Sequence, residues 1–72
     1  MPRLPILSGL AIVKVLNKIG YKIIRQKGSH IWLDCPDRKR ITVPNYKAVD
    51  RNLLLKIIKN ADITQEEFIA LL

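Results

Sequence analysis

The sequence predicts an α+β fold, an α-β-β-β-α-α sandwich with helices on one face of a three-stranded antiparallel sheet. Three observations carry this. An apolar run of helical period ends at Gly20. Three short segments rich in β-branched and aromatic residues follow, split by turn residues. Two more helical segments with start signals close the chain. At 72 residues, one domain over residues 1–72 is expected, and much of its apolar half must be buried.

The elements follow in order. After an extended "PRLP" lead, Ser8 is placed to cap a helix of residues 9–19, with Leu10, Ile12, Val13, Leu16 and Ile19 at helical spacing and Lys14, Asn17 and Lys18 on the polar side. "YKIIRQK", "HIWLDC" and "RITV" read as a meander of three strands, with Gly28 and Pro36-Asp37 supplying the turns. In the second strand the period of two sets Ile31, Leu33 and Cys35 toward the helices and leaves His30, Trp32 and Asp34 on the open face. Residues 44–49 connect to a helix of residues 51–61, for which Asp50 is a candidate cap and Leu54, Leu55, Ile57, Ile58 and Ala61 are available for burial. Thr64 and Glu67 have the spacing of a capping box for a short last helix, with Ile63 placed to staple against Phe68. This element order is shared with double-stranded-RNA-binding domains, although order alone does not carry function.

The charge of +7 is uneven: residues 1–40 hold nine Lys/Arg against two acids, and residues 41–72 hold four of each. Such an excess favours a polyanionic partner, nucleic acid or an acidic protein surface, over none; the competing reading is a solvated basic face. A lone cysteine, Cys35, excludes an intramolecular disulfide framework and fits a reducing cytoplasm. The apolar start has the outline of a signal peptide, but two prolines, Lys14 and the lack of a small-residue cleavage site argue against one. No apolar run approaches the roughly 18 residues of a membrane span, so no membrane partner is expected.

"RQKGSH", residues 25–30, holds the only histidine. Imidazole is the side-chain group that ordinarily exchanges a proton near neutrality, so His30 is the candidate general acid or base; the opposing reading is a polar strand residue facing solvent. Arg25, Lys27 and Ser29 can hold a phosphate and steady charge building on it. Gly28 makes the turn and also permits close approach of a phosphodiester. Trp32 either stacks an unpaired base or packs beneath a terminal segment or loop. The run Arg38, Lys39 and Arg40 either extends the phosphate-contacting surface or is a solvated turn, and Tyr46 is either a hydroxyl and stacking ring or a loop anchor. No Cys/His set has zinc spacing, no paired carboxylates have a glycosidase setting, and no glycine loop has phosphate-binding form. A Cys35–His30 nucleophile pair is disfavoured because alternation separates the two across the sheet. A reaction without metal or other cofactor is what remains.

From "PRLPILSG" through "GYKIIRQKGSHIWL", the "PD" turn and "ITVP" to "ITQEEFIALL", the chain resembles the HicA family of small bacterial and archaeal toxins. The resemblance implies a fold like that of double-stranded-RNA-binding domains and a ribosome-independent endoribonuclease acting on mRNA. It implies His30 as the catalytic histidine, the RNA 2′-hydroxyl as nucleophile, no metal, and a HicB-type antitoxin that covers His30. Arg25, Lys27, Gly28, Ser29, Trp32, Lys39 and Arg40 are the expected RNA contacts. Where many members carry a histidine near "VP" and then a glycine-threonine pair, this chain has Tyr46 and Asn52-Leu53, so no second acid or base is assigned. Two other readings stand beside this one: a non-catalytic RNA-binding module of the same architecture, and an interaction domain whose basic face meets only an acidic protein.

Overall fold

A computed structural model describes residues 4–72; of the lead, Met1, Pro2 and Arg3 lie outside the described residues. The order is α1 (Gly9–Lys18), β1 (Lys22–Lys27), β2 (His30–Cys35), β3 (Arg38–Pro44), α2 (Arg51–Asn60) and α3 (Gln65–Ala70). The sheet is antiparallel in the order β1-β2-β3, giving the expected α+β architecture.

Helix α1 begins where the Ser8 hydroxyl accepts the Ala11 N–H at 3.2 Å. It ends in a Schellman motif. Gly20 takes φ +110°, its N–H donates to the Asn17 carbonyl, and the Tyr21 N–H donates to that of Leu16. Ile12, Val13, Val15 and Leu16 are buried. Leu10, expected inside, is exposed: it is one turn and two turns before Lys14 and Asn17, on the polar stripe, while Val15 at i+3 from Ile12 takes a core position instead.

The two hairpins turn differently. Gly28 takes φ +58° at the first central position of a two-residue turn between Lys27 and His30, as a type II′ turn requires. Between Cys35 and Arg38 the first central residue is Pro36, whose ring forbids a positive φ and hence a primed turn. The mismatch with strand twist is absorbed by a register shift between Leu33 and Cys35. Ile31, Leu33, Cys35, Ile41 and Val43 are buried, so the predicted alternation of β2 holds.

Both longer helices pack on β3, and all six residues of β1 are exposed. Leu54, Ile57, Ile58 and Ala61 enter the core, whereas Leu55 stays exposed on α2. Asp50 is the N-cap by its backbone, its carbonyl accepting the Leu54 N–H, but its carboxylate makes no capping bond. That exposed carboxylate is left to solvent, and the helix entry is fixed instead by buried Val49 bridging Leu7 and by Arg51 Nε donating to the Leu4 carbonyl. Thr64 and Glu67 form the reciprocal capping box, with part-buried Ile63 and buried Phe68 both in the core assembly.

Candidate functional site

The open face is ordered by cross-strand rows. Lys27, His30 and Pro44 are partners in one row, and Arg25, Trp32 and Thr42 in the next. Paired residues share a face, so Lys27, Arg25, His30 and Trp32 stand on the side away from the helices. The imidazole is exposed; its ring centroid lies 5.9 Å from that of the half-buried Trp32, tilted by 39°. The Arg25 guanidinium carbon lies 5.6 Å from the Trp32 ring centroid, within cation–π range. Trp32 is therefore flanked by Arg25 on one neighbouring strand, and no loop buries it fully.

The turn is pinned from behind. The Ser29 carbonyl accepts the Asn45 N–H at 2.6 Å, and the Tyr46 carbonyl accepts the Gly9 N–H at 2.9 Å. Gly9 is buried against this connection so closely that an added Cβ would lie 2.1 Å from the Pro44 carbonyl oxygen. The start of α1, the Gly28-Ser29 turn and the chain leaving β3 are thus tied together through backbone atoms. Tyr46 is exposed in that connection, next to the turn, so its side chain is not a buried anchor. A Cβ at Gly28 would meet nothing within 4 Å, leaving the turn open to solvent, and its positive φ accounts for the glycine.

The second basic cluster lies elsewhere. His30 and Asp34 are at opposite ends of β2, separated by about 13 Å at the usual rise of a strand. The Lys39-Arg40 segment adjoins the Asp34 end. Arg40 shares the parity of Thr42 and so the open face; Lys39 lies within the register shift, where two residues of β3 stand opposite Asp34 alone. Both are exposed, and the Lys39 carbonyl accepts the Tyr21 hydroxyl at 2.7 Å. Burial pushes the Tyr21 phenol above its ordinary 10.0, the Cys35 thiol adding to the shift and the Arg38 charge opposing it. Arg38 does not extend the open surface as read from the basic run: its guanidinium donates to the carbonyls of Ala61 and Asp62 at the C-terminus of α2. Helix-terminal carbonyls attract a cation, and that competes with solvent for this arginine. The gathered constellation is therefore Arg25, Lys27, Gly28, Ser29, His30 and Trp32.

Among the described residues, no three or more His, Cys, Asp or Glu side chains converge to hold a metal ion, and no helix is long and apolar enough to cross a membrane. No curated protein matches the chain at a significant level. The family model for the HicA toxin of bacterial toxin-antitoxin systems matches residues 11–63, more than half of the chain. The chain belongs to the HicA toxin family. HicA membership gives it the role of a toxin in a toxin-antitoxin pair. The match takes in α1 from its third residue, the whole sheet and α2, and hence the complete His30 constellation. Gly9, which holds that constellation from behind, precedes the matched span, and no signal in its own sequence neighbourhood marks its contact with Pro44.

Proposed function

We propose that this HicA toxin is a metal-independent endoribonuclease that cuts single-stranded mRNA on the open face of the sheet. The observation that carries the reading is the exposed His30 imidazole beside Trp32 and Arg25, with Lys27 as its cross-strand partner. A base stacks on the free side of Trp32, and Arg25, Lys27 and the Gly28-Ser29 turn take the adjoining phosphates. Arg40 and Lys39 meet the strand further along, near the other end of β2. The 2′-oxygen attacks the phosphorus and gives up its proton, the bond to the 5′-oxygen breaks, and that oxygen gains a proton. The products are a 2′,3′-cyclic phosphate and a free 5′-hydroxyl. His30 carries one of the two protons. A HicB-type antitoxin with an acidic surface silences the toxin in the cytoplasm by covering His30.

The test compares wild type with His30→Ala on RNA in EDTA. Cutting by wild type alone supports the mechanism; equal cutting by both sinks it. A single deoxyribose at the scissile position should abolish cleavage there, and continued cutting would refute attack by the 2′-hydroxyl. One observation favours a non-catalytic RNA-binding module instead: Tyr46 and Asn52-Leu53 stand where many relatives carry a second histidine and a glycine-threonine pair. That reading predicts salt-dependent binding without cut ends and little change in affinity for His30→Ala.

A further inference from the structure

The two edges of the sheet are unlike. Along β3, Ile41 and Val43 are buried beneath the helices, Arg38 is committed to the end of α2, and Pro44 has no N–H to offer a further strand. Along β1, nothing comparable among the described residues protects the edge. All six residues are exposed, Ile23 and Ile24 at 49% and 50%. Ile23 pairs with Leu33 and so faces the helix side, but the helices pack on β3 and leave it uncovered. An edge strand also presents unpaired backbone N–H and C=O groups, which template pairing with another chain.

What guards this edge is charge of one sign. Lys22, Arg25 and Lys27 pair with Asp34, Trp32 and His30 and hence line the open face, and β1 contains no acid. A second copy of the strand would bring cations against cations, so the guard works against self-pairing. Against a strand carrying carboxylates the same three charges attract. A guard of one sign is therefore a selector for the other. The alternation sets the rest of the pattern: carboxylates on the open face beside the three cations, apolar side chains on the helix side against Ile23 and Ile24. The register shift between Ile23 and Arg25 places Ile24 at the bulge, as an additional apolar contact.

We propose that the free edge of β1 accepts an extended strand from an acidic partner protein, a strand in which carboxylates alternate with apolar residues. Backbone hydrogen bonds extend the sheet, and the side-chain alternation gives the selectivity. The inference stands whether or not the chain cuts RNA, since it concerns the strand edge rather than the proton chemistry of His30. Its bearing on the site is direct: the docked carboxylates reach Arg25 and Lys27, the cations that flank Trp32 and His30, and so compete with phosphates for them.

The probe is a synthetic peptide of alternating glutamate and valine, added to the full chain and followed by amide hydrogen exchange and by affinity. Binding should slow exchange in β1 and leave the outer edge of β3 unchanged. A version of the peptide N-methylated at every residue, which cannot pair its backbone, should bind at least about tenfold more weakly. The double variant Ile23→Ser/Ile24→Ser should weaken binding by a similar factor while leaving the RNA cleavage assay unchanged. A peptide of the same composition with glutamates and valines in separate blocks should bind poorly. Equal binding of the block or N-methylated peptide would overturn the proposal in favour of plain charge attraction. Protection of β1 by an RNA oligonucleotide but not by the peptide would overturn it in favour of nucleic acid, and a peptide-free dimer abolished by Ile23→Ser/Ile24→Ser would overturn it in favour of a second copy.

Discussion

At Gly9 a hydrogen atom occupies space that any other side chain would contest with backbone. The nearest atoms to an added Cβ are the Pro44 carbonyl and Asn45 Cα, which cannot rotate away as a flexible side chain would. Gly9→Ala is expected to lose about 1–3 kcal/mol of stability, as overpacked sites do, readable as a lower urea midpoint. It should also loosen the Gly28-Ser29 turn through Asn45, and amide shifts at Ser29 and His30 are the readout. Tyr21 governs a different condition. Its phenol is raised above 10.0 in the folded chain, so both states keep the proton below that value and the contribution of this group is full and independent of pH there. Above about pH 10 the unfolded chain ionises first while the native phenol stays neutral, so stability falls as pH rises through this window. Tyr21→Phe should flatten that alkaline branch, at a cost near neutrality of about 1 kcal/mol for the lost bond to the Lys39 carbonyl. Denaturant midpoints measured across alkaline pH separate the two effects.

Among the elements, α2 ends with a conformational compromise. Asp62 takes φ +59° at the position after the cap, where α1 has glycine. Its N–H donates to the Lys59 carbonyl and the Ile63 N–H to that of Ile58, the same pair of bonds that closes α1. Aspartate tolerates this region better than most residues, yet glycine pays no Cβ strain there. Asp62→Gly is therefore expected to stabilise the fold by about 0.5–1 kcal/mol, seen as a raised Tm, because Arg38 grips backbone carbonyls that the substitution keeps. Element type and order were legible because each depends on local periodicity and turn chemistry: Gly20, Gly28 and Thr64 act where the sequence places them. Leu10 and Leu55 were misplaced because a wide apolar stripe does not say which of its margins the neighbouring element will cover. Arg38 was misread for a related reason, since its partners lie more than twenty residues further along the chain.

For the molecule as a whole, charge and coverage are arranged along different axes. Lys22, Arg25 and Lys27 line the open face along β1 and Arg40 joins them from β3, while the helices bury the other face mainly over β3. If Arg25, Lys27 and Arg40 each neutralise one phosphate, the affinity of His30→Ala for single-stranded RNA should fall with salt at a log–log slope of about −2. Lys27→Ala should shift that slope by about 0.7 toward zero, checked by fluorescence anisotropy over a salt series. Alternation in β2 was enough to bring His30 and Trp32 to one face, and this much of the site was open to reading from the sequence. The cross-strand partnership of Arg25 with Trp32 was not, because the bulge after Ile23 decides the register and leaves no mark in composition.

Cys35 closes β2 beneath Gly20, its sulfur 3.4 Å from where a Cβ on that glycine would lie. As the only thiol in the chain, and a buried one, it makes the protein its own clock. A thiol reagent in excess is expected to label Cys35 as this corner of the fold opens, so the labelling rate follows the frequency of opening. Any ligand that holds this end of the sheet shut slows the clock, and one that binds solely at the His30 end leaves it running.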